Sequence, residues 1–416
     1  MGEENRTDEI IARASVAQPK AVRASDNAFT VAVGIVALLV GLLIGGNLKS
    51  IYNWIAPTFN LSVTETLDLS SVQDLYQTVR NSYVGDIDRE ALVDGAKRGM
   101  ISALGDPYSI FMTESEETTL VNDINGNFSG IGAELSMRNG MITIIRLIQN
   151  SPAQRSGLQV GDVIYMVDGV DMTASSTAAA ASAIRGESGT SVELVVVRGS
   201  SELKTFNITR ARINNPSVYS EIRSVDGKRI LVLNITSFSQ DAGDLAYTQA
   251  QRALNDGGLD GVIVDLRGNG GGYVQSAQAV AGLWLSGQTI MTEHNIGGSS
   301  TLRSLSGRNI LADIPTVIIT NGSSASASEI LAGALRDHGK AQIVGEPTYG
   351  KGSMQELINL RDGNHLKLTI ANWLTPNGLS VNDQGLSPDE LVELSVDDLN
   401  NNRDPQLDAA INKLTK

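Results

Sequence analysis

The chain has 416 residues, 41% of them hydrophobic and 19% charged, enough for more than one folded core and too apolar for wholesale disorder. Its net charge of −14 argues against a nucleic-acid partner, and the absence of cysteine removes thiol catalysis, disulfides and thiolate metal sites. His294, His338 and His365 stand far apart without ligand spacing, so neither a metal nor an organic cofactor is expected.

Residues 1–26 carry Arg6, Arg13, Lys20 and Arg23, and residues 27–48 hold no charge and are dominated by Val, Ile, Leu, Ala and Gly. At 1.5 Å of rise per residue, about 20 such residues cross the hydrocarbon layer. The run shows no polar face, which a globular helix of that length would have. The basic residues precede it, so the reading is a single membrane span with its amino terminus inside and the bulk of the chain outside. Removal as a signal peptide is the alternative; no small-x-small cleavage site follows the run, which is also long for a signal core.

A tether at 49–69 contains Pro57, Asn60 and several Ser and Thr. Helices are expected within 70–115, where Val72, Leu75, Tyr76 and Val79 recur at three- and four-residue steps and residues 89–101 form a second periodic run. They are read as packing elements or a dimer surface. The second run ends near Gly105-Asp106-Pro107.

Short strands follow at 142–147, 192–197 and 204–208. Between the first two lies Ser151-Pro152-Ala153-Gln154-Arg155-Ser156-Gly157-Leu158, then Val160-Gly161-Asp162-Val163-Ile164, ending in Val167-Asp168-Gly169. With the preceding Gly130-Ile131-Gly132-Ala133, this stretch, 116–212, resembles a PDZ domain. The physics agrees: glycines at 130 and 132 let backbone N–H groups turn toward a peptide carboxylate, and an open strand edge accepts an extended peptide. The Ala-rich run 177–184 would be the helix closing that groove.

From 213 to 393 strands and helices alternate: strands at 230–235, 261–266 and 315–320, helices at 245–254 and 329–335. That order implies an α/β fold with parallel pairing and active residues at strand ends. Strand 315–320 runs into Asn321-Gly322-Ser323-Ser324-Ala325-Ser326-Ala327-Ser328-Glu329. A serine at such a junction has free backbone N–H groups and a positive helix end beside it. Ser323, Ser324, Ser326 and Ser328 are all candidates for a nucleophile. Its base could be Lys351 in Tyr349-Gly350-Lys351-Gly352, provided burial lowers the lysine from about 10.4 by roughly three pH units. A second glycine turn, Asp265-Leu266-Arg267-Gly268-Asn269-Gly270-Gly271-Gly272, offers oxyanion donors; it lacks the Gly-Lys-Ser/Thr of a phosphate loop.

These elements, with Leu104-Gly105-Asp106-Pro107-Tyr108-Ser109, Gly345-Glu346-Pro347-Thr348 and Gly385-Leu386-Ser387-Pro388-Asp389, together resemble the carboxyl-terminal processing peptidases, membrane-tethered serine proteases with a PDZ domain inserted into the protease fold. The resemblance runs from Tyr83 to the end. It implies a multi-domain α/β (α+β) chain: a ClpP/crotonase-like protease core at 213–393, an inserted PDZ domain, an N-terminal transmembrane helix, and a helical tail at 394–416 packing on the core. It selects Ser326 as nucleophile and Lys351 as base. It places Gln355 four residues on to orient the amine, on the same face if the segment is helical. Gly271 and the Ala327 N–H become the oxyanion donors, Gly130, Ile131, Gly132 and Ala133 the peptide-binding loop, and Glu329 a structural residue. It implies protein or peptide substrates with apolar carboxyl termini, gating by the PDZ domain, an activating partner, a homodimer, and a catalytic domain on the outer face of a bacterial-type inner membrane, or in a plastid lumen. One departure is Gly270, where the family often has proline. The rival readings are a hydrolase using His338 as base, a non-catalytic PDZ scaffold, and a crotonase-like acyl-CoA enzyme.

Overall fold

A computed structural model of the chain describes residues 67–416 apart from 200, 201, 215 and 402, together with scattered positions between 31 and 41. The span expected at 27–48 and the tether at 49–69 fall largely outside these residues. Among the described residues no helix is long and apolar enough to cross a membrane. The chain separates into two compact units, Met1–Asp88 and Arg89–Lys416. Helix Ser70–Ser82 belongs to the first and buries none of its residues. The helices expected as one segment at 70–115 therefore divide between the units.

In the second unit a six-stranded sheet carries the protease-like core. Its order is Val218–Val225, Lys228–Ile235, Gly261–Asp265, Thr316–Thr320, Ala341–Gly345 and Glu390–Leu391. The first pair is antiparallel and every later pair parallel. The central strands are apolar through their middles, as a sheet covered on both faces requires. One face is covered by helices Ala242–Asn255, Val274–Ala281 and Ala327–Asp337 around buried Phe238, Trp284, Leu331 and Trp373. The other is covered by helix Pro405–Thr415 through Ala410 and Leu414, so the tail packs on the core as expected.

A second, five-stranded antiparallel sheet is centred on His365–Leu374, which pairs with Ile110–Met112, Thr289–Asn295 and Ser353–Asn359. The segment after Lys351, where a helix would have put Gln355 on the lysine's face, is a strand here. Gln355 lies opposite Thr369 in it, next to a register shift between Met354 and Gln355. Within 116–212 a six-stranded sheet runs in the order Ala133–Arg138, Met141–Leu147, Val163–Val167, Ser191–Arg198 and Glu202–Thr209, with Val170–Asp171 beside Val163–Val167. Ala133–Arg138 is an edge of this sheet, and helix Thr177–Ile184 packs against it.

Candidate active site

The turn after strand Thr316–Thr320 sets Ser324 and Ser328 apart from the half-buried Ser323 and Ser326. Ser324 and Ser328 are fully buried, and their hydroxyls donate to the carbonyls of Leu266 (2.8 Å) and Asn269 (2.9 Å). They tie this turn to the glycine turn of the neighbouring strand, helped by Ala325 N–H on the Asn269 carbonyl (3.0 Å) and Gly268 N–H on Asn321 Oδ1 (3.0 Å). Ser326 is the half-buried residue immediately before helix Ala327–Asp337. Its φ of 56° and ψ of −114° fall where a side chain is rarely found, at a cost on the order of 1–3 kcal/mol that packing must hold in place. The Ala327 N–H, at the helix start, has no intrahelical acceptor.

Gly271 lies directly against Ser326. A Cβ at Gly271 would come within 2.8 Å of Ser326 Cβ and 3.1 Å of Ala327 N, and its φ is +102°. This close approach is what the glycine permits. The Gly271 N–H, however, donates to Asn269 Oδ1 at 2.9 Å, so as an oxyanion donor it must first leave that acceptor. Gly270, the departure from the family pattern, has open space where a Cβ would stand. The turn is braced from outside: Arg267 bonds both Asp265 and Asp404, the latter through two contacts of 2.9 Å, linking it to the start of the carboxy-terminal helix.

Glu329 carries the geometry that joins Ser326 and Lys351. It is fully buried, and its two oxygens accept from Ser326 N–H (2.8 Å), Lys351 N–H (3.0 Å), Gly350 N–H (2.7 Å) and Thr348 Oγ (2.6 Å). Ser326 and Lys351 share Oε2, so their amide nitrogens cannot be further apart than the sum of those two distances, about 5.8 Å. A buried carboxylate saturated by four donors is a structural clamp on the backbones of both residues. The residue's structural role was legible in sequence; this double grip was not.

The Lys351 side chain is half-buried. Burial, reinforced by the charge of Lys367, pulls its pKa from the ordinary 10.5 down to about 8, against the opposing carboxylates Glu329 and Asp106. Its Nζ lies 5.1 Å from the centre of the Tyr108 ring. Burial and a hydrogen bond with Tyr349 push the Tyr108 phenol up to about 12, so it stays protonated. Among the hydrogen bonds of the described residues none joins Ser326 Oγ to Lys351 Nζ. Catalytic hydrogen bonds are often long before substrate engages, and the shared clamp keeps the two backbones in register. Gln355 Nε2 donates to Ser353 Oγ (2.9 Å) and Thr369 Oγ1 (3.1 Å). Tyr108 and Lys367 were not among the site residues expected; Tyr108 sits in the Gly-Asp-Pro-Tyr-Ser motif, which was the available signal, whereas Lys367 comes from a strand with none.

His338 does not reach the site. It caps the far end of helix Ala327–Asp337, whose 11 residues put it roughly 16 Å from the serine end, and its Nε2 sits 2.7 Å from the Thr289 carbonyl. Among the described residues there is also no cluster of three metal-binding side chains.

In the PDZ-like part, Ile131 is buried in the core, and Gly132 is at φ +78° with Ser151 Cβ 2.4 Å from where a Cβ would stand. Gly130 pairs with Ala211 and is not in the left-handed region, so of the two glycines only Gly132 needs its conformational freedom. Ala133 begins the edge strand. That strand faces the protease core through charges. Glu134 Oε1 would meet a Cβ on Gly268 at 1.6 Å, and its Oε2 accepts from Arg146 Nε at 2.7 Å. Arg138 pairs with Glu346 at 2.8 Å. A cavity of 270 Å³ lies between, lined by Glu134, Arg146, Tyr219, Asp265 and Arg267 among others.

The model of peptidase family S41 matches residues 229–392, that of a PDZ domain matches 143–198, and that of the activating protease CtpB N-terminal domain matches 56–118. The chain is 34% identical over 321 residues to the carboxy-terminal processing protease CtpB of Bacillus subtilis (strain 168), covering 77% of this chain and 67% of that protein. It is 35% identical to the carboxy-terminal processing protease CtpA of the same organism, covering 77% and 68%. Among solved structures it is similar to the photosystem II D1 C-terminal processing protease, with 28% identity, a TM-score of 0.58, and 78% and 87% of the two chains covered.

Proposed function

Since the chain belongs to peptidase family S41, among the carboxy-terminal processing serine proteases, we propose that it is an endopeptidase working by a Ser326–Lys351 dyad near the carboxyl termini of its substrates. The observation that carries this reading is the Glu329 clamp, which fastens the backbones of Ser326 and Lys351 to one carboxylate oxygen.

The chemistry follows from the geometry. Lys351, neutral in part near pH 7, takes the Ser326 proton as Oγ attacks the peptide carbonyl. The Ala327 N–H at the positive helix end, and the Gly271 N–H once released from Asn269, meet the oxyanion. The lysine then hands its proton to the departing amine. It next activates the water that frees the acyl group from Ser326. Gln355 would orient the amine.

The PDZ domain would take the substrate's carboxyl end at Gly130-Ile131-Gly132-Ala133 and add the following apolar residues as a strand on Ala133–Arg138. That strand also carries Glu134 and Arg138, which touch the oxyanion turn and Glu346, so groove occupancy has a direct route to the site. Residues 27–48 would anchor the chain with its catalytic part outside the inner membrane, where an activating partner or a second copy could meet it.

The test is cleavage of an unstructured polypeptide with an apolar carboxyl end, products identified by mass spectrometry. Wild type should process it while Ser326→Ala and Lys351→Met do not. Equal cleavage by Ser326→Ala would remove the assigned nucleophile.

A further inference from the structure

We propose that Lys367, flanked by Ile110 and Leu357, forms a ledge beside the Ser326–Lys351 pair that holds a carboxylate of the substrate and so helps set which sequences are cleaved. The inference rests on the Ser326–Lys351 reading and narrows its substrate class to polypeptides that bring an acid group and apolar neighbours to the site.

The strand register builds the ledge. Gln355 stands opposite Thr369, and Leu357 opposite Lys367, with no register shift between the two pairs. Side chains alternate along a strand, so Lys367 and Leu357 project from the same face as Thr369 and Gln355. On that face the Gln355 amide donates to Thr369 Oγ1 at 3.1 Å. Ile110 stands opposite Lys367 on its other side, so the lysine lies between two apolar residues. The loop leading into Ile110 connects the ledge to the site. Tyr108, two residues earlier, has its ring centre 5.1 Å from Lys351 Nζ, and Ser109 Oγ accepts the Thr369 N–H at 3.0 Å. The Lys367 charge is accordingly felt by Lys351.

Ile110 and Leu357 are 42% and 39% exposed, so this face opens to solvent where Lys367 stands. The lysine itself is half-buried, and among the described residues its amine has no hydrogen-bond or ion-pair partner. Asp106 is close enough for its charge to be felt, but its oxygens accept from Ser109 Oγ at 2.5 Å and from the Tyr108 N–H at 3.0 Å. A cation without a partner, between two open apolar side chains, is complementary to a segment carrying a carboxylate next to apolar residues. Burial lowers the Lys367 pKa, and an arriving carboxylate would offset that cost to its charge. The carboxylate can come from an Asp or Glu side chain near the scissile bond or from the end of the substrate chain.

Specificity is a ratio between two substrates on one enzyme, so any effect of Lys367 on the titration of Lys351 cancels in it. The cleavage site in the unstructured polypeptide is first located by mass spectrometry. Peptides spanning it are then made with Glu or Gln at successive positions on both sides of the scissile bond, each with a free or an amidated carboxyl end. With the full-length protein at one fixed pH, wild type should prefer one carboxylate-bearing peptide over its neutral counterpart about tenfold in kcat/KM, mostly through KM. High salt should shrink that preference. Lys367→Met should bring the ratio to about one, Lys367→Arg should keep it, and Lys367→Glu should reverse it in favour of a peptide with Lys at that position. If the glutamate variant does not fold, Lys367→Gln against Lys367→Arg carries the comparison. Loss in Lys367→Met of a Glu-over-Gln preference assigns a side-chain carboxylate to the ledge; loss of a free-over-amidated preference assigns the chain end. No preference in wild type, or one that survives Lys367→Met, overturns the proposal. If Ser326→Ala cleaves like wild type, the dyad has failed and the ledge falls with it; if Ser326→Ala is dead while the ratio ignores Lys367, only the ledge has failed.

Discussion

Replacing Lys367 with methionine tests how the proposed base is made available. Lys351 titrates near 8, with burial as the main cause and Lys367 as the second. At that value roughly a tenth of the amine is neutral at pH 7, against about 0.03% for a lysine at the ordinary 10.5, a gain in working base of about 300-fold. Wild-type kcat should climb with pH, rising about ninetyfold between pH 6 and pH 9 and levelling above pH 9. An unshifted lysine would climb about tenfold per pH unit throughout. Lys367→Met removes the like charge and leaves the burial, so the midpoint should move alkaline yet stay below 10.5. A move of about one pH unit would cut kcat at pH 7.5 roughly eightfold while leaving the plateau unchanged. The fold should survive, because burial already lowers the Lys367 pKa and its loss relieves a poorly solvated charge. Lys367→Arg, which keeps the charge, is the control. The assay is kcat against pH in a chemistry-limited regime. A midpoint for Lys367→Met that stays near 8, or moves acid, would refute the electrostatic account.

Lys351→Met should abolish cleavage yet raise the melting temperature at pH 7 by on the order of a few degrees. The folded lysine titrates near 8 and the unfolded one near 10.5, so the unfolded chain holds more protons in between; wild-type stability rises across that window and the methionine's advantage closes there, as melting scans at pH 7 and pH 10.5 would show. Glu329→Gln turns an NH₂ toward two of four donors in a fully buried site. The expected loss is about 2–4 kcal/mol of stability in denaturant titration, with kcat falling by at least tenfold even where the protein is folded. Gly271→Ala forces a Cβ to within 2.8 Å of Ser326 Cβ from a positive-φ backbone, and kcat should drop by about 10²–10³-fold with KM changing less.

The elements that sequence disclosed are those whose signal is local. Thr177–Ile184 is a helix between the residues where the alanine run begins and ends, and the three buried strands of the core read as short, largely apolar runs. The antiparallel sheet around His365–Leu374 was missed because its strands mix charged, polar and apolar residues without clean alternation, and its pairings span long stretches of chain. The condition attached to Gln355, that its segment be a helix, fails for the same reason. A four-residue step from Lys351 suggests a shared helical face, but the segment is a strand and the Gln355 amide donates across the sheet to Thr369. The same holds for the serine turn. Four serines in a run are equivalent in sequence; they differ once Leu266 and Asn269 claim the hydroxyls of two, and Gly271 crowds the α-carbon side of a third. Glu329 shows the limit most clearly. Its neighbours in sequence give a helix's first turn, but its partners at 348, 350 and 351 arrive from the next strand's loop, and only their convergence turns an N-terminal helix carboxylate into the link between the two halves of the site. Chemistry-bearing residue types were therefore legible where their motif is contiguous, and their orientation was not, because each is oriented by a residue far away in the chain.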